Sequence, residues 1–270
     1  MQVIVFASQK GGSGKTTLAA HTAVQASYAG FGSVAMVDTD PQGSLHGWWR
    51  LREDSEPALI RSDAGSLAED LEQLRAQGHR LAVIDTQPAV TEAISEVVKF
   101  ADLVVIPCRS SPHDLRAVGA TVDIVERWQK HMIFVVNSAT RRARITSEAA
   151  VALSQHGTVA PATVHQRVDF AGSMIDGRTV METGPEGKSA GEMAALWTYI
   201  EERMSRINQI PMPYETAQQT AEANSSFGTV NQPESLTPPG LQSTSQTAPS
   251  IGGLRRASGS FGRRPGSENW

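Results

Sequence analysis

The chain has 270 residues, of which 40% are hydrophobic and 19% are charged, and its formal net charge is −4. This composition is typical of a globular protein with a buried core, and it excludes a strongly basic surface over the whole molecule. The single cysteine, Cys108, excludes an internal disulfide and a metal site made of cysteines alone. No apolar run approaches the roughly 20 residues that span a bilayer, and no signal-peptide pattern is present. We therefore expect a cytoplasmic protein without a membrane partner.

Residues 1–208 alternate between short β-branched segments and amphipathic segments. Strands are predicted over residues 3–7, 33–37, 81–84, 103–106, 132–136 and 161–164. The clearest helix carries apolar residues at three- and four-residue spacing, namely Met193, Trp197, Ile200, Met204 and Ile207. Strands that are apolar on both faces and alternate with helices predict an α/β fold: a doubly wound, mostly parallel sheet with helices on both faces. Ligands bind such sheets beyond the carboxyl ends of the strands.

The composition changes near Gln209. Residues 209–270 hold half of the prolines together with many Ser, Thr and Gln, and they have few large apolar side chains. Such a segment buries too little apolar surface to offset its ordering entropy. We therefore predict one folded domain over residues 1–208 and a disordered tail over residues 209–270. The tip of this tail is rich in arginine, with Arg255, Arg256, Arg263 and Arg264.

A glycine-rich segment, Lys10-Gly11-Gly12-Ser13-Gly14-Lys15-Thr16-Thr17, follows the first predicted strand and precedes a helical stretch over residues 18–28. Strand, glycine loop and helix in this order are the context of a phosphate-binding P-loop. The glycines let successive N–H groups point at phosphate oxygens, and the helix N-terminus favours an anion. The motif predicts that Lys15 reaches the β- and γ-phosphates of ATP and that the Thr16 hydroxyl ligates Mg²⁺.

Three carboxylates follow predicted strands. Asp38 and Asp40 point the same way in an extended chain, so both are candidates to hold a water molecule or a hydrated Mg²⁺. An Asp-x-Asp-Pro turn by itself is more often structural. Asp85 directly follows the segment 81–84, and an acid at the end of an apolar strand is the Walker B arrangement, which holds the hydration shell of Mg²⁺.

Residues 10–16 match the Lys-Gly-Gly-x-Gly-Lys-Thr/Ser signature, and the chain resembles the deviant Walker A ATPases, which include ParA partition ATPases and MinD regulators. The segment 38–43 is similar to the Asp-x-Asp-Pro-Gln-Gly segment of ParA, whereas Gln87 departs from the Asp-Thr-Pro-Pro of the family. The resemblance, which covers roughly residues 1–207, implies that Lys10 reaches across a nucleotide-sandwich dimer to the partner's phosphates. It further implies that Asp40 orients the attacking water, Asp38 supports the metal shell and Asn137 lies near the base.

The family implies a weak, partner-stimulated ATP hydrolase that acts as a switch. A ParA-type ATP-dependent homodimer binds DNA non-specifically, and a ParB- or ParG-like centromere-binding protein stimulates hydrolysis and release, so that plasmid or chromosome DNA is segregated. In the ATP state such a protein is nucleoid-associated. Candidate DNA contacts are Arg141, Arg142, Arg144, Arg167, Arg178, Lys188, Arg203 and Arg206. The alternatives are a MinD-like or protein-cluster positioning ATPase and a metabolic synthetase with the same loop.

Overall fold

A computed structural model describes residues 1–88 and 92–207. These residues form a seven-stranded sheet in which every pairing is parallel, with the strand order β3-β2-β4-β1-β5-β6-β7. The strands are β1 Gln2–Phe6, β2 Val34–Asp38, β3 Ala58–Arg61, β4 Leu81–Asp85, β5 Leu103–Cys108, β6 His131–Val136 and β7 Thr158–Val159. The predicted α/β fold class is confirmed, while the predicted tail lies outside the described residues.

Helices cover both faces of this sheet. They are α1 Lys15–Tyr28, α2 Ser44–Trp49, α3 Leu67–Ala76, α4 Glu92–Val98, α5 Pro112–Arg116, α6 Val118–Arg127, α7 Arg144–Ser154, α8 Val168–Ser173, α9 Val180–Thr183 and α10 Lys188–Ile207, with a 3-10 turn at Met174–Asp176. One apolar core packs α1 and α10 on one face of the sheet, and a second core packs α3, α4 and α6 on the other. Strands buried on both faces are what the continuous apolar segments predict.

The strand predictions failed at the two edges of the sheet. Strand β3 was missed, because at an edge its residues are only partly buried and it carries no continuous apolar run. The predicted strand over residues 161–164 is wrong, since β7 ends at Val159 and Pro161 has no N–H to donate. Val164 still makes two backbone hydrogen bonds with the end of β6 and the residues after it. Its N–H donates to the carbonyl of Val136, and its carbonyl accepts the N–H of Ala139.

The topology places a crevice at the end of β1. The chain moves from β1 to β2 on one side, returns through β4 next to β1, and then continues through β5 on the other side. This reversal makes the carboxyl end of β1 the switch point at which open α/β sheets bind ligands. The glycine-rich loop lies there, between β1 and α1. Among residues 1–88 and 92–207, no helix is both long and apolar enough to cross a membrane.

Candidate nucleotide-binding site

The glycine-rich loop turns tightly before α1. Gly12 and Gly14 have φ angles of 73° and 94°, in the left-handed region that side chains with a Cβ rarely adopt. A Cβ on Gly14 would also collide with the side-chain amide of Asn137. Helix α1 begins at Lys15, three residues before the predicted start, so its first N–H groups face the loop. Backbone amides and the helix N-terminus together form a site for an anion.

The Lys15 side chain is buried within this loop and is only 6% exposed. Burial lowers the pKa of its ammonium group, and the negative charges of Asp85 and Asp40 partly offset that effect. A buried cation is stabilised by further negative charge nearby, because desolvation disfavours the charged form. The phosphates of a nucleotide supply such charge.

Asp85 lies directly beneath the loop. Its Oδ2 accepts a hydrogen bond of 2.6 Å from the Thr16 hydroxyl, while its Oδ1 is buried and has no partner among the described residues. Burial raises the pKa of this carboxyl to about 7, the hydrogen bond from Thr16 opposes the rise, and the nearby charge of Asp38 adds to it. A free carboxylate oxygen next to a threonine hydroxyl fits a hydrated Mg²⁺, which is bound through oxygen ligands and retained water.

Asp38 and Asp40 have different surroundings although they are two residues apart. Both oxygens of Asp38 accept backbone N–H groups, from Asp40 at 3.1 Å and from His46 at 2.8 Å. Burial raises the pKa of Asp38, and these two amide bonds oppose the rise. The Asp40 carboxylate accepts one bond, from the Gln42 N–H at 2.9 Å, and Asp40 lines a cavity beside the glycine-rich loop. Asp38 therefore fixes the loop that carries Asp40, and its metal-supporting role stays a prediction.

A cavity of about 630 Å³ opens beside the loop. We call its first side the phosphate wall, formed by residues 12, 14–17 and Asp40, and its second side the outer wall, formed by residues 164–167, 170, 171 and 174. Thr86, Pro88, Arg109, Asn137 and Ser138 also line it. Of the remaining predicted site residues, Lys10 and Gly11 are exposed, whereas Ser13, Asp38 and Asp85 are buried behind the lining.

Asn137 lies where the resemblance places a residue near the base. Its Nδ2 donates a hydrogen bond of 2.7 Å to the carbonyl of Ser13, and its backbone N–H donates to Cys108. This side chain therefore links the end of β6 to the glycine-rich loop. Its contact with the base stays a prediction, while the structure adds a role in fixing the loop.

The outer wall was not identified from the sequence. Glu192 of α10 holds it in place by accepting both Nη atoms of Arg167 at 2.6 Å, together with the backbone N–H and Nδ1 of His165 at 3.0 and 2.8 Å. Burial alone would raise the pKa of the Glu192 carboxyl, but these bonds keep it below its usual range. Arg109 and Ser138 were missed as well, although each lies within three residues of a predicted strand end, a position that favours ligand contact.

The buried side chain of His21 contacts both walls of the cavity. Its Nδ1 lies 2.8 Å from the carbonyl of Thr17, its Nε2 accepts the N–H of Val180 at 3.2 Å, and its ring packs on Phe170 with centroids 5.2 Å apart. Burial lowers the pKa of this imidazole to about 4. A neutral ring that donates at one nitrogen and accepts at the other satisfies both contacts.

Seven of the eight candidate DNA-contacting cations divide into two groups, while Arg203 is only partly exposed and has no ion pair among the described residues. Four pair with acids of the same chain: Arg144 with Glu148, Arg167 with Glu192, Arg178 with Asp176 and Arg206 with Glu202. Arg141, Arg142 and Lys188 are exposed and have no ion pair within the described part of the chain. Arg141 and Lys188 line one shallow cavity of about 360 Å³.

A glycine loop at the switch point, a buried lysine and an acid beneath a threonine define a P-loop nucleotide-binding protein. Residues 4–241 match the model of the CobQ/CobB/MinD/ParA nucleotide binding domain, and the chain belongs to this family. The predicted membership of the ParA/MinD superfamily is confirmed, and the protein is a ParA/MinD-family ATPase.

Three similar proteins show how far the likeness extends. Maintenance of carboxysome distribution protein A of Halothiobacillus neapolitanus is 29% identical over 70% of this chain and 91% of its own. Protein ParA of Rhizobium radiobacter is 32% identical, but over 45% of this chain and 53% of its own. The ATP complex of an McdA variant from Cyanothece has a TM-score of 0.58 at 18% identity, covering 78% of this chain and 98% of that one, and supports the fold.

Proposed function

We propose that this chain is an ATP-driven switch that positions a large protein assembly in the cell. The observation that carries the proposal is the match to the carboxysome distribution protein, which spans most of both chains, whereas the match to ParA spans about half of each. This favours the protein-cluster alternative over the plasmid or chromosome partition that the motifs first indicated. The cargo would be a protein assembly of the kind for which that relative is named.

Each part of the cavity has a place in this function. The loop amides and Lys15 hold the phosphates of ATP, and the outer wall lies against the rest of the nucleotide. Thr16 and Asp85 hold a hydrated Mg²⁺, which when bound neutralises charge on the phosphate oxygens. Asp40 accepts a hydrogen bond from the attacking water and aims it at the terminal phosphate. The buried Asp38 keeps Asp40 in place through its bond to the Asp40 N–H.

Lys10 gives the reason for a dimer. It is exposed, it does not line its own cavity, and no acid pairs with it in the described part of the chain. In the dimer that the deviant Walker A resemblance implies, this cation reaches the partner's phosphates and stabilises their charge. We therefore propose that ATP brings two chains together and that Lys10→Ala weakens ATP-dependent dimerisation while each monomer still binds ATP.

Non-specific DNA is the proposed surface on which the ATP dimer moves. Arg141, Arg142 and Lys188 are exposed and free of ion pairs within the described residues, so they are available for phosphate contacts. Such contacts weaken steeply with salt. A second protein that carries the cargo would stimulate hydrolysis and release the dimer. In a partition system that protein would be the ParB- or ParG-like centromere-binding protein.

A gel shift on unrelated duplex DNA tests the switch. The wild-type protein should bind with ATP, much more weakly with ADP, and less as salt rises, while Lys15→Ala should bind in neither nucleotide. Equal DNA binding with ATP, ADP and no nucleotide would contradict the proposed switch. Cargo is tested separately in the native cells, by removing the protein and following labelled assemblies and plasmids. Loss of the even spacing of a protein assembly supports the proposal, and loss of a plasmid alone supports partition.

A further inference from the structure

Arg109 stands at the mouth of the nucleotide cavity with no established role. It follows the last residue of β5, and its side chain is exposed and lines the cavity. A Cβ atom placed on Gly12 would lie 3.7 Å from its Nη2, so the guanidinium lies beside the glycine-rich loop. Within residues 1–88 and 92–207 no acidic side chain pairs with it.

The backbone around Arg109 is held on both sides. The carbonyl of Cys108 accepts the N–H of Asn137 at 2.8 Å, and the next residues lead into the N-cap of α5, where Ser111 Oγ accepts the N–H of Asp114 at 3.2 Å. The Cys108 thiol donates to the carbonyl of Arg109 at 3.3 Å. The base of the side chain is therefore fixed, while its guanidinium end is free to bind an anion in the cavity.

The position of Arg109 along the cavity indicates which part of a bound nucleotide it would meet. Phe170 of the outer wall packs on His21, which lies nearly two turns into α1 beyond the loop, and we assign the body of the nucleotide to this end of the cavity. Gly12 lies at the opposite end of the loop, before Lys15 and Thr16. A phosphate chain that passes Thr17 and Lys15 reaches Gly12 with its last phosphate.

We propose that Arg109 binds the terminal phosphate of ATP from within the same chain and lets the site distinguish ATP from ADP. This inference rests on the proposed function, because a switch needs one nucleotide state to be bound differently from the other. The planar guanidinium matches phosphate oxygens with two parallel N–H donors, a geometry that lysine lacks. Arg109 thus adds a cation in cis to the one that Lys10 supplies to a partner chain.

Nucleotide affinity measured by calorimetry, with Mg²⁺ and at a protein concentration that keeps the chain monomeric, tests the proposal. The probes are ADP and the non-hydrolysable β,γ-imido analogue of ATP, so turnover plays no part. Arg109→Gln should weaken the analogue roughly ten- to a hundredfold, as expected for loss of a charged hydrogen bond, and change ADP affinity by less than about threefold. Arg109→Lys should fall in between. Arg116→Gln, which removes an exposed arginine of α5 outside the cavity lining, is the matched control.

Two results would overturn the inference. An equal loss for ADP and the analogue would place Arg109 on the inner phosphates or the base, and wild-type affinities in Arg109→Gln would leave it without a contact. Either result leaves the proposed switch intact as long as the wild-type protein binds DNA only with ATP. If the wild-type protein does not bind DNA in an ATP-dependent way but Arg109→Gln still weakens the affinity for the analogue, the proposed switch is contradicted. The proposed contact between Arg109 and the terminal phosphate is then retained.

Discussion

The two walls of the cavity are built in different ways. The phosphate wall comes almost entirely from one continuous segment that runs from the loop after β1 into the first turn of α1, and its shape depends on glycine conformation and on the start of the helix. The outer wall reaches the cavity because Glu192, in the first turns of α10, holds His165 and Arg167. A local motif therefore encodes the first wall, whereas long-range side-chain contacts encode the second.

This difference predicts different responses to substitution. In the proposed binding mode the phosphate wall meets the most highly charged part of the nucleotide, where one lost cation is costly. The outer wall would lie against the rest of the nucleotide, and a single acid, Glu192, supports it by binding His165 and Arg167. His21 lies between the walls and contacts both, so it should affect stability more than binding.

The largest effect is expected for Lys15→Ala. The variant removes the buried ammonium group whose charge interacts with Asp85 and Asp40, and it leaves the negative charge of these acids uncompensated near the phosphate wall. Losing a cation with two charged contacts should weaken ATP by roughly a thousandfold. Calorimetry with the β,γ-imido analogue measures the loss. The exposed Lys188 supplies the matched control, Lys188→Ala, which should leave the affinity unchanged.

Asp40→Ala should have the next largest effect, on turnover and not on binding. Asp40 lines the cavity with one bond to the Gln42 N–H, and its removal leaves the glycine loop and Lys15 intact. Loss of a group that positions the water should lower kcat by roughly two to three orders of magnitude, with ATP affinity changed less than about threefold. Phosphate release under single-turnover conditions reports this. Rapid hydrolysis by the variant would remove Asp40 from the proposed role.

These two residues also show what the sequence could predict. The loop, Lys15 and Thr16 are brought together as expected, because a strand, a turn and a helix in sequence leave little freedom in how they meet. Asp85 joins them because β4 pairs in parallel with β1, which places Asp85 opposite Phe6 just before the loop. The different surroundings of Asp38 and Asp40 could not be predicted, since alternation in an extended chain places both on the same side. In the structure the chain turns after Asp38, and amides of Asp40 and His46 occupy its oxygens.

The fold shows the same division. Strands at the centre of the sheet carry continuous apolar runs and were predicted within a residue or two, because burial on both faces is visible in composition. Edge strand β3 is only partly buried, so Ala58–Arg61 gave no such signal. The outer wall was likewise invisible, since nothing in residues 165–167 indicates that Glu192 lies beside them.

The pH dependence of the free energy of unfolding tests the role of His21, which contacts both walls. Burial lowers the pKa of His21 to about 4, below the value near 6.5 expected for an unfolded chain. As the pH falls from 6.5 to 4, the imidazole of the unfolded chain becomes protonated while the buried imidazole of the folded chain stays neutral. The contribution of His21 to the free energy of unfolding is therefore fully present above pH 6.5 and is lost towards pH 4. The loss should reach about 2 kcal/mol at pH 5 relative to pH 8.

The comparison of wild type with His21→Gln isolates this term, because all other titrating groups are shared. Urea unfolding at each pH should show the wild type more stable than the variant at pH 8, with the difference shrinking by about 2 kcal/mol at pH 5. A difference that stays constant between these pH values would mean that His21 does not titrate in this window.

The smallest effect is expected for Glu192→Gln in the outer wall. A single amide oxygen cannot accept the four N–H groups that the carboxylate accepts from His165 and Arg167, so the segment 164–167 loses its support. Because this wall lies away from the terminal phosphate, we expect ATP and ADP to weaken equally, by roughly three- to tenfold. Glu202→Gln, on the exposed side of the same helix, is the matched control. An effect confined to ATP would mean that the outer wall also reaches the terminal phosphate, and the division of the cavity into two walls with separate roles would fail.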